Sequence, residues 1–241
     1  MTAHLQIRNL SKTFGGVAAN VDISFDVARG EILGLIGPNG AGKTSLFNSI
    51  SGEVSPDRGD VVLDGVVISG RGPVVCAQAG VARTFQVVRS FDSMTVLENV
   101  MVGAFSRHRR PRDAMRAAQD VLAFAGLDGR ADALAHQLTP PEKRRLEIAR
   151  ALATRPRVLL LDEMLTGLTP TEAAAGVSLI RAVRDQGVTI VMVEHVMEVV
   201  LPLVDRAVVL NLGRVLMQGS QAEVVRHPDV IRAYLGDRYA A

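Results

Sequence analysis

The chain has 241 residues, enough for one large domain or a core with a subdomain, and a formal net charge of +2, too small to favour nucleic acid through bulk electrostatics. Hydrophobic residues make up 48% and aromatics only 4%, so the core must be aliphatic. One cysteine, Cys76, excludes an internal disulfide and suits a reducing compartment. With no leader pattern at its start and no apolar run near the roughly 18 residues a span needs, the chain is expected to be soluble and cytoplasmic.

Residues 4–10 and 21–27 alternate apolar and polar side chains, which predicts two half-buried antiparallel strands. Between them, Phe14 precedes Gly15-Gly16. Its ring can stack on a base or pack against the core, and both readings stand. Residues 31–36 form a short apolar run that reads as a buried strand. It leads into Gly37-Pro38-Asn39-Gly40-Ala41-Gly42-Lys43-Thr44, which fits the pattern G-x-x-x-x-G-K-[ST]. Such a loop wraps backbone N–H groups around phosphates, with Lys43 reaching the terminal phosphates and the Thr44 hydroxyl ligating Mg²⁺. Ser45 to Ile50 read as the first turns of a helix whose N-terminus faces the anion. Strand, glycine loop and helix in that order predict a nucleotide site. Residues 59–68 alternate again, with Asp64-Gly65 as a hairpin signal.

After the short strand 81–85 the chain changes character. Helical spacing dominates from about Val96 to Ala153, clearest over Ala114–Ala125 and Glu142–Ala153. The densest positive charge, residues 107–112, is either a solvated loop between helices or a face for membrane headgroups or a partner. Strands at Val158–Leu161, Thr189–Val193 and Arg206–Leu210 then follow, with a helix from about Pro170 to Gln186. Alternation of that kind argues a parallel sheet with crossover helices. The expected fold is α/β: a nucleotide-binding core over 1–86 and 158–241 with an antiparallel β part, and a helical subdomain inserted over 87–157.

Val158 to Leu161 end in two carboxylates, Asp162 and Glu163, at the strand end where open α/β sheets bind ligands. Asp162 is placed to hold Mg²⁺, directly or through water, and Glu163 to orient and polarise an attacking water. His195 follows another core strand and is read as a γ-phosphate contact. Gln86, at the junction with the helical block, is read as a sensing residue.

Together, residues 37–44, Gln86, 138–150, Asp162-Glu163 and His195 resemble the ATP-binding cassette family, over essentially the whole chain and in the family's order. Residues 12–16, 82–86, 144–150 and 227–236 look more narrowly like the ATPase subunits of branched-chain amino-acid importers. The resemblance implies a P-loop NTPase core that binds ATP and Mg²⁺. It places Gly37, Asn39, Gly40, Ala41, Gly42, Lys43, Thr44 and Ser45 around the phosphates, Phe14 on the base, and Thr44, Gln86 and Asp162 toward the metal. Glu163, His195 and Gln86 take the catalytic roles. It also implies a head-to-tail pairing with a second cassette subunit, a separate membrane permease that holds this chain at the inner face of the membrane, and, indirectly, a solute-binding protein. No nucleic-acid partner is expected.

The chain departs from the family's Leu-Ser-Gly-Gly-Gln signature, having Leu138-Thr139-Pro140-Pro141-Glu142 instead. Thr139 to Glu142 form a T-x-x-E capping box, and proline is tolerated in a first helical turn, so the helix is expected. Proline has no N–H, however, so two donors to a partner's phosphate are missing, and only the Thr139 hydroxyl and the helix dipole remain. Two copies and two different subunits both remain open, and the missing donors favour a partner of different sequence. The same pair motivates an alternative, a nucleotide-dependent regulatory cassette with weak turnover. Met164 and Thr169 also replace the family's proline and its Asp or Asn, and Thr169-Pro-Thr-Glu172 reads as a second capping box.

Overall fold

The alternating N-terminal segment folds as a hairpin of β1 (Ala3–Phe14) and β2 (Val17–Ala28). The computed structural model describes residues 3–86, 88–194 and 200–235. Leu5, Ile7 and Leu10 on β1 and Ile23, Phe25 and Val27 on β2 are buried, while Arg8, Ser24 and Asp26 face solvent. Both strands outrun the expected 4–10 and 21–27. Their added ends run out to the exposed Gly15-Gly16 turn, and a ribbon with little buried face leaves no apolar alternation to read. β4 (Arg58–Leu63) pairs antiparallel with β1, and β5 (Val66–Val67) with β4. The Asp64-Gly65 turn between them has φ of +48° and +80°, both positive as a type I′ turn requires.

The second sheet contains β3 (Ile32–Ile36), β6 (Val81–Arg83), β7 (Val158–Asp162), β8 (Thr189–Val193), β9 (Arg206–Asn211) and β10 (Arg214–Gly219). Their order is β10-β9-β3-β8-β7-β6, parallel except for the β9–β10 pair. Every residue of β3, β7 and β8 is buried, as expected for strands covered on both faces. Alternate residues go to opposite cores. Leu33, Leu35, Leu160, Val191 and Val193 join the antiparallel sheet and Leu46, Phe47 and Ile50 of α1 (Lys43–Ile50). Ile32, Ile36, Leu159, Leu161, Ile190 and Met192 pack on the other face with Ile180 and Val183 of α6 (Pro170–Asp185). The functional loop therefore leaves a strand locked from both sides.

β6 and β7 are neighbours in the sheet, yet the chain between them contains three helices: α3 (Val96–Ala104), α4 (Pro111–Phe124) and α5 (Pro140–Ala153). Residues at i, i+4, i+8 build a separate core there: Val96, Val100 and Ala104, then Ala114, Ala118 and Leu122, closed by Leu146 and Ala149. The opposite side of α5 carries Ile148, Ala151 and Leu152 into the sheet's core. At its start the Thr139–Glu142 box forms: the Thr139 N–H and hydroxyl both donate to the Glu142 carboxylate, at 2.8 and 2.9 Å. The equivalent N–H bond at Thr169 is 2.8 Å.

Sequence reading missed α2 (Pro73–Ala79), β10, α7 (Gln221–Arg226) and α8 (Pro228–Leu235). The strand expected over 81–85 ends at Arg83.

Candidate active site

β3 ends at Ile36 and the chain turns sharply at Gly37, whose φ is +151°. A Cβ there would lie 2.2 Å from the Leu210 carbonyl oxygen, and one at Gly42 (φ +100°) 2.3 Å from that of Ala19. Only glycine fits either position. The loop is braced from outside. Asn20 Nδ2 donates to the Gly42 carbonyl at 3.1 Å, and the Gly213 N–H, in the β9–β10 turn, donates to that of Ala41 at 3.1 Å.

Lys43 reaches back across the loop, and its ammonium donates to the carbonyls of Gly37 at 2.6 Å and Pro38 at 3.0 Å. Those bonds take two of its three donors. Burial lowers its pKa, opposed by the charges of Glu163 and Asp162. A cavity of about 640 Å³ opens above it, lined by Asn39 to Ser45, Gln86, Glu163 and Val193. The first turn of α1 borders that cavity, and first-turn N–H groups have no partner within their own helix. The Ser45 hydroxyl is buried without a hydrogen-bond partner among the described residues. Orphan donors, a cation and a helix N-terminus suit a polyphosphate.

Asp162 closes β7, 5% exposed, and pairs with Arg83 Nη2 at 3.0 Å. Arg83 also meets Glu53 at 3.4 Å and donates to the Asn48 side chain of α1, so it ties β6, β7 and the phosphate-loop helix together. Glu163 is half-buried with φ +51°, a strained conformation of a kind that clusters at functional sites. Its N–H donates to the Val193 carbonyl at 2.9 Å, and its carboxylate accepts from Gln86 Nε2 at 2.8 Å.

Two side chains hold the segment after Glu163. Arg144, on α5, donates to the carbonyls of Glu163 at 2.6 Å and of Thr166. Glu194, just past β8, accepts from the Leu165 N–H at 2.5 Å and the Thr166 hydroxyl at 3.1 Å. Glu194 is 2% exposed. Burial pushes its pKa up against those two hydrogen bonds and the Arg144 charge, and the Glu163 charge pushes the same way as burial.

Asn39, Gly40, Ala41, Gly42, Lys43, Thr44, Ser45, Gln86 and Glu163 thus meet at one cavity, with Gly37 behind the loop and Asp162 beneath it. Phe14 does not line the cavity. The residue is 46% exposed, which counts against the core-packing reading, and the Lys12 ammonium lies 5.4 Å from the ring centroid. Thr139 caps α5 away from this cavity, with its hydroxyl given to Glu142. His195 lies outside the described residues. Missed by sequence reasoning were Arg83, Arg144 and Glu194.

Residues 21–166 match the family described as ABC transporter, a span that runs from β2 through the loop to the Glu163 segment. The chain belongs to the ABC transporter family. Its tail, residues 214–240, also matches the family described as branched-chain amino acid ATP-binding cassette transporter. The cassette is 39% identical to the high-affinity branched-chain amino acid transport ATP-binding protein BraF of Pseudomonas aeruginosa, covering 97% of this chain and 98% of that one. It is 35% identical to the lipopolysaccharide export system ATP-binding protein LptB of Acidithiobacillus ferridurans, over 99% of both. Among solved structures, the ADP conformation of an ATP-binding cassette of an ABC transporter superposes with a TM-score of 0.89 at 28% identity, covering 98% of this chain and all of that one. Among the described residues no helix is long and apolar enough to cross a membrane.

Proposed function

We propose that this cassette is the ATP-hydrolysing subunit of an importer for branched-chain amino acids or similar small solutes. It would work beneath a separate permease, in a head-to-tail pair with a second cassette of different sequence. The cavity that joins the Lys43 loop to Glu163 and Gln86 supports the ATPase reading. The tail match at 214–240 supports the cargo, because overall identity hardly separates an amino-acid relative from a lipopolysaccharide one. The regulatory, low-turnover alternative gains no support from relatives named as parts of transport systems. Residues 87–157 would be the helical part that passes motion to the permease.

In this reading the loop N–H groups, Lys43 and Ser45 bind the phosphates, and Phe14 stacks on the base. Thr44, Gln86 and Asp162 offer hydroxyl, amide and carboxylate oxygens, the donor types that suit Mg²⁺. When bound, the ion supplies charge neutralisation on the β- and γ-phosphates. Lys43 exchanges carbonyl partners for phosphate oxygens, a charge-assisted and stronger pairing. Glu163 accepts the proton of the attacking water, and Gln86 holds the carboxylate until the nucleotide's γ-phosphate is in place. His195 contacts that phosphate.

The test is reconstitution with the permease and binding protein. ATP hydrolysis should rise when leucine-loaded binding protein is added, and Glu163→Gln should remove the part of it that this chain's own site carries. Indifference to branched-chain amino acids would sink the cargo assignment, while full activity of E163Q would sink the base.

A further inference from the structure

We infer that Arg144 and Glu194 form a two-sided clamp that positions Glu163 for proton transfer. The inference rests on Glu163 being the base. Glu163 sits at φ +51°, and residues 164–168 carry the chain away from it. A side chain in that conformation keeps its aim only if the backbone on both sides is over-determined. On its own strand side, the Glu163 N–H is tied to Val193 at 2.9 Å. On the far side no strand pairing is present among the described residues; the restraints seen there are side chains from two other elements.

Arg144 spans the turn, with one guanidinium arm on the Glu163 carbonyl at 2.6 Å and the other on the Thr166 carbonyl. Its planar fork fixes the separation of those two oxygens in a way a lysine could not. Glu194 grips the same turn from β8 through the Leu165 N–H and the Thr166 hydroxyl. Burying a carboxylate at 2% exposure costs stability unless hydrogen bonds and a nearby opposite charge offset it, as the Leu165 N–H, the Thr166 hydroxyl and Arg144 do for Glu194. Here it secures the stretch directly after the base.

The clamp also has direction. Arg144 belongs to α5, whose N-cap is Thr139, so a shift of that helix along its axis moves the Glu163 carbonyl. Glu194 belongs to the strand end that leads into His195. The helix that starts at Thr139 and the strand that ends before His195 therefore each place one side chain on the same turn.

The experiment is steady-state ATPase of the assembled pair, with the partner cassette's own site inactivated so that turnover reports this chain's, and kcat and KM measured separately for Glu194→Ala, Glu194→Gln, Arg144→Met and Thr166→Val. Displacing a catalytic group by about 1 Å costs on the order of 100-fold. E194A and R144M are accordingly expected to lower kcat about 10- to 100-fold with KM for ATP within about twofold. E194Q keeps an oxygen for the Leu165 N–H and an amide for the Thr166 hydroxyl, so its kcat should return to within about threefold of wild type. If E194A does not fold, T166V carries the test through a kcat loss of about three- to tenfold at unchanged KM. Parallel losses in kcat, KM and thermal stability, with no rescue by E194Q, would make the residues merely structural and overturn the clamp. Wild-type kcat in T166V and R144M would overturn it as well. E163Q is the control: if it stays active the base reading fails and takes the clamp with it. If it is dead while the clamp variants are normal, only the clamp fails.

Discussion

Pro140 and Pro141 occupy the first turn of α5, and replacing both with glycine tests what their missing donors cost. Thr139 offers little in their place, because its N–H and hydroxyl both point at Glu142, at 2.8 and 2.9 Å. The double substitution restores two N–H groups at the positive end of a 14-residue helix. A hydrogen bond to a charged group contributes about 1.5–3 kcal/mol. One such bond, made to a phosphate held by the facing cassette, corresponds to about one to two decades in rate. The exposed position of Thr139 and Pro140 favours the lower end, about tenfold. Losing two prolines also loosens the unfolded chain by roughly 0.4–1 kcal/mol each, which lowers Tm by several degrees in a domain of this size. Rate and stability should therefore move in opposite directions. The assay is phosphate release from the assembled pair in which this chain also carries Glu163→Gln, so that turnover reports the site its α5 would serve. An unchanged rate together with a lowered Tm would refute the reasoning, since the donors would be present and irrelevant.

Two further outcomes are expected. Asp64→Asn should lower Tm at neutral pH, because Asp64 joins His4 at 2.7 Å, Arg29 at 2.7 Å and Arg157 at 3.0 Å. Burial pushes its carboxyl up, but the His4 hydrogen bond and the surrounding positive charges outweigh that and hold it below 3.8. A depressed folded pKa gives stabilisation that is complete above the unfolded value and lost as pH falls through the folded one. The Tm gap between wild type and D64N should close in acid, and a gap equal at pH 3 and pH 7 would contradict this. Phe14→Ala should raise the KM for ATP about two- to tenfold through lost stacking while leaving Tm nearly unchanged. A falling Tm at constant KM would return the ring to a structural role.

Contiguity explains what the sequence made legible. β3, the loop and α1 follow one another directly, and β7 and β8 announce themselves as unbroken aliphatic runs because both their faces are covered. β10 stayed hidden because it is an antiparallel edge strand, mostly half-buried, with no clean alternation. At the site, Lys43 and the Asp162-Glu163 pair were readable from local pattern. Arg83, Arg144 and Glu194 were not, because their roles depend on partners 79, 19 and 28 positions away. Glu194 carried a faint signal as the residue beside His195 at a strand end, but nothing local says that its carboxylate turns inward. The Thr139–Glu142 box was legible as helix chemistry. That it consumes the hydroxyl the family would direct at a phosphate required the geometry.

The placement of α3, α4 and α5 between two paired strands has a consequence for how the chain reaches this state. β6 cannot zip onto β7 until the ends of a long excursion, residues 84–157, come together. In a flexible chain that closure would be entropically slow. The excursion has its own core and capped helix starts at Thr95 and Thr139, so it can condense by itself. Once condensed, it brings Arg83 and Val158 within reach of each other, and the parallel sheet inherits a short gap.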